Sequence, residues 1–164
     1  MTLPRMLLDA NELGIRLEMV NGLPLWEAQP VYRHQKAIDR IVKTIRPVSN
    51  TIHPCGCIYA IDVYIQFGTS LKRPDIAIFC QEPPDDQQDS ALTIIPEAVI
   101  EVVSKGYEAK DLQIAPPFYL SHGIKDVIVF DPATLLVLHL RQHHATRLIS
   151  PVELTLECGC QVTV

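Results

Sequence analysis

Residues 96–104 read PEAVIEVVS and residues 73–79 read RPDIAIF, and the way these two runs sit together decides the fold. Each is a short apolar stretch carrying one carboxylate: Glu101 lies between Ile100 and Val102, and Asp75 follows Pro74 at the head of its run. Continuous apolar runs of this kind, with DVIVF at 126–130 as a third, favour central strands covered on both faces. An ionised carboxylate inside such a sheet costs several kcal/mol unless it has a partner. If the two strands lie side by side, Asp75 and Glu101 converge within a few Å, and a divalent cation between them makes like charges tolerable at that distance. A hard, oxygen-liganded ion such as magnesium suits carboxylates plus retained waters. Its usual task in that setting is to activate water against a phosphodiester. Taken singly, each residue also has a plain structural use: an Asp after proline caps a turn, and a strand Glu pairs with a cation across the sheet.

Outward from these runs, strand-like segments are predicted at 58–67, 73–79, 98–103, 126–130 and 135–140, with further β structure from Arg147 onward. Between the third and fourth lies a helical stretch from Glu108 to His122, closed by Gly123 and interrupted by Pro116-Pro117. Upstream, IRLEMVNGLPLW (15–26) sets alternating runs about Asn21-Gly22, the signature of a β-hairpin. From Tyr32 to Ile45 the period changes: His34, Ala37, Ile38, Ile41, Val42 and Ile45 recur at helical spacing, ending before Pro47. The other side of that helix carries Arg33, Lys36, Arg40 and Lys43, a stripe that is either a solvated face or a phosphate-docking surface. The segment 81–96, QEPPDDQQDSALTIIP, reads as an acidic surface loop. The order of hairpin, helix, strands, helix, strands specifies an α/β or α+β sheet with helices packed on it. With no repeat or low-complexity tract, residues 1–164 are expected to form one domain.

The 164 residues carry 14 Lys+Arg against 19 Asp+Glu, a net charge of −5, which excludes a polycation built to coat nucleic acid. Contact with phosphates must then come from a local patch. The N-terminal residues are too acidic and too briefly apolar for a signal peptide, and no run approaches the ~20 apolar residues of a membrane span. A cytoplasmic protein without a membrane partner is expected. The five cysteines are then expected to stay reduced, without a disulfide framework. Four of them form Cys-x-Cys pairs, Cys55/Cys57 and Cys158/Cys160, read as small buried hydrophobes, with structural zinc as the alternative that this spacing permits without demanding.

Pro-Asp followed by a strand Glu-x-x-Ser is similar to the core of the PD-(D/E)XK nuclease superfamily, and over most of its length the chain resembles the Uma-two family of restriction-endonuclease-like proteins. LEMVNGLP (17–24) matches that family's opening hairpin, and Arg33-His34-Gln35 falls where its first helix begins. Arg73-Pro74-Asp75 matches the aspartate motif, and residues 96–104 match the strand carrying the second carboxylate. Asp111, Tyr119, Gly123 and the run 126–132 fit the stretch that follows. The resemblance implies a restriction-endonuclease-like mixed sheet flanked by helices, with an N-terminal hairpin. It implies Asp75 and Glu101 as ligands of magnesium or manganese, Glu18 as a third acidic contributor, and hydrolysis of DNA by metal-activated water. By analogy with restriction enzymes, a homodimer is expected.

A lysine should orient or activate the water, and here the chain departs from the family pattern. Val103 stands two residues beyond Glu101, where the superfamily signature has Lys, and Ala115 stands at the displaced position used by relatives. Lys105 and Lys110 are the remaining candidates. Lys105 shares strand parity with Glu101 if the strand persists, and a lysine stem of roughly 6 Å spans about two strand residues. Lys110 gains if Gly106 breaks the strand. The empty lysine positions keep a second reading open, a catalytically inactive nuclease-like module that binds nucleic acid or protein. His122, His143 and His144 lie near turns and are given no role.

Overall fold

A computed structural model describes residues 3–48 and 54–164. It opens with a short helix that sequence patterning did not reveal, α1 (Arg5–Glu12), whose Leu7 and Ala10 pack against Leu17, Leu71 and Ala91. The hairpin of β1 (Leu17–Val20) and β2 (Leu23–Trp26) follows, turned by Asn21 and Gly22 at φ +50° and +81°, the left-handed pair that a tight two-residue hairpin requires. Helix α2 (Tyr32–Val42) buries His34, Ala37, Ile38, Ile41 and Val42, the apolar stripe read from the sequence, and leaves Arg33, Arg40 and Lys43 exposed. The two-residue β3 (Arg46–Pro47) comes next.

The chain then builds two sheets alternately. Residues 58–67 do not form one strand: β4 (Ile58–Ile61) ends at Asp62, whose φ of +59° leaves the extended region, and β5 (Ile65–Phe67) joins a different sheet. Likewise β7 (Ile76–Phe79) starts three residues later than expected, because Lys72 belongs to β6 (Ser70–Lys72), and Arg73-Pro74-Asp75 is the crossing between sheets. The remaining strands are β8 (Ala98–Val102), β9 (Asp126–Phe130), β10 (Leu136–Arg141), β11 (His144–Ile149), β12 (Glu153–Thr155) and β13 (Cys160–Thr163). The central sheet runs β11-β10-β9-β8-β7-β4 and is mixed, with β8 and β9 parallel and the other neighbours antiparallel. A four-stranded sheet, β2-β1-β6-β5, and a three-stranded one, β12-β13-β3, flank it.

Every residue of β7, β8 and β9 is buried, as the continuous apolar runs require. Ile76, Ile78, Ile100, Val102 and Ile128 face α2 together with Leu154 and Val162 of the small C-terminal sheet. Ala77, Phe79, Val99 and Val127 face the other way, against Ile65, Phe67 and a helix, α3 (Ala115–Ser121). Immediately before α3, Lys110–Ile114 is π-helical. Pro116 and Pro117 have no N–H to return to the preceding turn, and the wider π turn gives their rings room. The segment 81–96 is less of a free loop than its composition suggests. Its tip is exposed, but Ala91 and Leu92 are buried, and Leu92 exchanges backbone hydrogen bonds with Tyr64 and Gln66 beside β5.

The cysteines correct the expectation of free thiols. Cys55 is bridged to Cys80 and Cys57 to Cys160, leaving Cys158 unbridged. Spacing along the chain concealed this, because the partners lie 25 and 103 residues apart. Among the described residues, no helix is long and apolar enough to cross a membrane.

Ile128 is wholly buried in the parallel pairing of β8 and β9, so Ile128→Ala is expected to remove ~2–5 kcal/mol of stability, read from the urea midpoint. A loss below about 1 kcal/mol would show that this face is not tightly packed.

Candidate functional site

The antiparallel register of β7 and β8 pairs Ile76 with Ile100, Ala77 with Val99 and Ile78 with Ala98. The ladder ends at Ile76 and Ile100: Asp75 is the residue just before β7, Glu101 is the next residue along β8, and the Val102 N–H donates to the Asp75 carboxylate. Both carboxylates line one narrow cleft, together with Arg16, Glu27, His34, Lys110 and Asp111. About 10 Å³ of the cleft admits a water-sized sphere, roughly the room of one water or one small cation. A substrate larger than that has to approach from outside.

Each carboxylate is held by one oxygen. Asp75 Oδ2 accepts the Val102 N–H at 2.8 Å and lies 3.2 Å from His34 Nε2 on α2. Glu101 Oε1 accepts the hydroxyl of Tyr119 on α3 at 2.7 Å. Among the described residues, neither Asp75 Oδ1 nor Glu101 Oε2 takes part in a hydrogen bond. Burial, and then the charge of Asp75, push the Glu101 carboxyl well above its ordinary range, with Lys110 opposing. Burial pushes Asp111 up to about 6 despite Lys110 and the Ser104 N–H that donates to it. Burial opposes the protonated form of His34, but its hydrogen bond to Asp75 and the charges of Asp75 and Asp111 leave its pKa raised.

Next to the cleft, the sheet crossing at residues 73–75 brings a second set of charges. Glu18 on β1 is completely buried. Lys72 Nζ sits 2.7 Å from its Oε1, the Arg73 N–H donates to its Oε2, and Lys110 Nζ is 3.4 Å from Oε1. Burial alone would raise Glu18, but Lys72, a hydrogen bond shared with Glu27, and Lys110 hold it down to about 2. Glu27 goes the other way, to about 9, through burial and then the adjoining Glu18, with Lys110 only partly offsetting. At neutral pH the pair therefore holds one proton, on Glu27. Lys110 Nζ is 2.6 Å from Glu27 and 3.7 Å from Asp111. Burial disfavours its charge, but Glu18, Glu101, Glu27 and Asp111 together raise its pKa and keep it an ammonium.

The lysine candidates separate cleanly. β8 ends at Val102, and Lys105 lies exposed in a turn with Gly106 at φ +90°, so the strand parity that favoured Lys105 is absent. Lys110 is turned into the cleft by the π-helical segment. Val103 and Ala115 are both buried among apolar neighbours. Of the cationic stripe, Arg33, Lys36 and Arg40 line a wider groove of about 740 Å³ on another side of α2, while Lys43 pairs with Asp39 at 2.9 Å. Sequence reasoning missed Lys72, Glu27 and Arg16. Arg16 pairs with Asp62, Lys72 meets Glu18 from the neighbouring strand β6 of the same sheet, and Glu27, just past β2, meets Lys110 of the π-helical segment. The only available signal was a lysine just ahead of the Pro-Asp motif.

A model of the Uma2 family, described as "Putative restriction endonuclease", matches residues 3–159. The chain belongs to the Uma2 family. The structure described as a "putative nuclease belonging to DUF820" from Anabaena variabilis ATCC 29413 is similar at a TM-score of 0.60 and 18% identity, over 82% of this Uma2 chain and 77% of that one. At that identity the likeness is one of fold, a restriction-endonuclease-like mixed sheet flanked by helices. No curated protein matches.

The donors in this Uma2 cleft suit a hard cation: two carboxylates, each with an uncommitted oxygen, one of them disfavoured as an anion by burial and then by the charge of the other. Among the described residues, the groups of three ligating side chains converging within 4.8 Å are all cysteine, so the cleft offers a carboxylate pair. That matches magnesium, which is often held by one or two carboxylates plus waters and substrate phosphates.

Lys72 and Glu18 are 1% and 0% exposed, so Lys72→Met should strand a buried anion and cost ~3 kcal/mol, with Lys110 limiting the loss. Chemical denaturation of the Lys72→Met/Glu18→Gln double variant should recover part of that. No recovery would mean the two residues are not coupled. The fold also holds a proton on Glu27 from about pH 4.5, where the unfolded chain releases it, up to about 9. Native protein then binds more protons than unfolded, and Glu27 contributes a fall in stability as pH rises through that window. Melting temperatures of Glu27→Gln should fall less steeply with pH than those of the parent, and equal slopes would contradict the assignment.

Proposed function

We propose that this Uma2 chain, acting as one nuclease-like unit, is a magnesium- or manganese-dependent endonuclease that hydrolyses DNA phosphodiesters at the Asp75/Glu101 cleft. The observation that carries this reading is the pair of carboxylates lining one cleft, with one uncommitted oxygen on each residue and an ammonium beside them. A hard dication bound by Asp75 and Glu101 would polarise a phosphoryl oxygen and lower the pKa of a water it carries. His34 and the Val102 N–H fix the rotamer of Asp75, and the Tyr119 hydroxyl fixes Glu101. Lys110, kept charged by four acids, offsets negative charge on the approaching phosphate; its raised pKa rules it out as the base that takes the water's proton. Glu18 enters as the anion that anchors Lys72 and Lys110, and not as a metal ligand. Arg33, Lys36 and Arg40, which line the separate groove on another side of α2, would take phosphates of DNA that reaches round that helix. Cutting both strands calls for two such clefts, which a homodimer supplies.

The second reading, a nuclease-like binding module without catalysis, is favoured by buried, apolar Val103 and Ala115 where the superfamily has its lysine. One set of assays separates the two. Under the nuclease reading, supercoiled plasmid is nicked with magnesium or manganese. Asp75→Ala and Glu101→Ala each lower the rate at least ~100-fold, and Lys110→Met lowers it by a similar or smaller factor. Metal affinity rises with pH, because binding displaces the proton that burial and Asp75 keep on Glu101. Intact plasmid, no heat on magnesium titration, and DNA binding that survives EDTA and the Asp75→Ala/Glu101→Ala change would establish the binding module instead.

A further inference from the structure

The five cysteines come from three distant segments and meet at one place. Cys55 and Cys57 lie in the loop entering β4, Cys80 follows the end of β7, and Cys158 and Cys160 flank the turn between β12 and β13. The sulfurs of Cys55, Cys57 and Cys160 lie within 4.8 Å of one another, as do those of Cys55, Cys80 and Cys158, so Cys55 belongs to both groups. Cys160 Sγ is 3.6 Å from Cys55 Sγ although each is bridged to a different partner. Two bridges account for four of these sulfurs in pairs. They do not account for a fifth cysteine at the same point, or for this contact between bridges.

Both Cys-x-Cys pairs are Cys-Gly-Cys, with the left-handed residue at Cys57 in the first and at Gly159 in the second. In the first, the Cys57 N–H reaches the Cys55 sulfur at 3.4 Å; in the second, the Cys160 N–H faces the Cys158 sulfur. The glycines are needed for the shape. A Cβ on Gly56 would stand 2.7 Å from the Cys80 carbonyl oxygen, and Gly159 has φ +96°. A tetrahedral zinc–thiolate site, with Zn–S about 2.3 Å, places its sulfurs roughly 3.8 Å apart, within the spacing found here.

We propose that in the reduced protein these cysteines form a zinc centre, with Cys55, Cys57 and Cys160 as three buried thiolate ligands and Cys80 or Cys158 as the fourth. The centre is separate from the carboxylate cleft, whose donors are oxygen. Opening the two bridges takes four electrons and four protons from two equivalents of a dithiol reductant, each oxidised to its disulfide, and binding Zn²⁺ then releases the protons of the four ligand thiols. Bound zinc would clip the β12–β13 turn to the β4–β7 edge of the central sheet, the same connection that the bridges make in the oxidised chain.

The test uses the full chain, purified under a thiol reductant from cells given no added metal. About one zinc per chain is expected by elemental analysis. Replacement by Co²⁺ should give the intense visible bands of a tetrahedral cobalt–thiolate centre, and thiol titration should reveal four further reactive thiols once zinc is chelated. Cys57→Ser should hold under a tenth of the parent's zinc, one of Cys80→Ser and Cys158→Ser should lose zinc while the other keeps it, and Asp75→Ala should keep it in full. If Cys57→Ser does not fold, the cobalt spectrum and thiol count of the parent chain still decide. Less than about a tenth of a zinc per chain with all five thiols reactive, or full zinc in both the Cys80→Ser and Cys158→Ser variants, would overturn the proposal.

Discussion

Antiparallel pairing of Ile76 with Ile100 is the constraint on which the rest of the molecule depends. Both residues are completely buried, and burying each contributes about 1.5–3 kcal/mol, so the register is strongly held. Just past the end of that ladder stand Asp75 and Glu101. A slip of one residue would turn Glu101 to the other face and separate the two carboxylates. Two acids are therefore held close together by apolar packing that has nothing to do with their own chemistry. Each is then fixed by a helix packed on the sheet, Asp75 by His34 of α2 and Glu101 by Tyr119 of α3.

Burying so much charge is feasible because the acids are sorted among different states. Glu18 stays ionised between Lys72, Lys110 and the Arg73 N–H; Glu27 holds a proton near it; Glu101 resists ionisation next to Asp75. What makes the sorting possible is the passage of the chain from β6 to β7 through Arg73-Pro74-Asp75, which carries it from one sheet to the other in three residues. Lys72 ends up deep beneath Glu18, while Asp75 emerges at the cleft. Lys110 links the two groups, within 3.4 Å of Glu18 and lining the cleft that holds Asp75 and Glu101.

Periodicity alone made much of this legible. The hairpin about Asn21-Gly22, the buried stripe of α2 and the runs 98–102 and 126–130 lie where alternation and spacing put them. Asp75 and Glu101 stood out for a physical reason, since a carboxylate flanked by Ile, Val or Pro in a strand calls for a partner. Other features were hidden because their causes are not local. α1 buries only Leu7 and Ala10, too few to set a period. The break at Asp62 and the anchoring of Leu92 follow from which sheet each segment joins. Lys105 looked well placed only while β8 was taken to continue past Val102.

By itself, then, the chain determined its hairpin, the buried stripe of α2 and its central strands, and singled out two acids, because each of these is written in the chemistry of neighbouring residues. Tertiary structure alone decided that Lys72 lies under Glu18 across 54 positions, that Lys110 and not Lys105 reaches the cleft, and that Cys57 meets Cys160 across 103. Those encounters depend on which distant strands pair and on how helices and sheets dock, and that is set by the sum of many apolar contacts, none of which leaves a pattern at the residues it brings together.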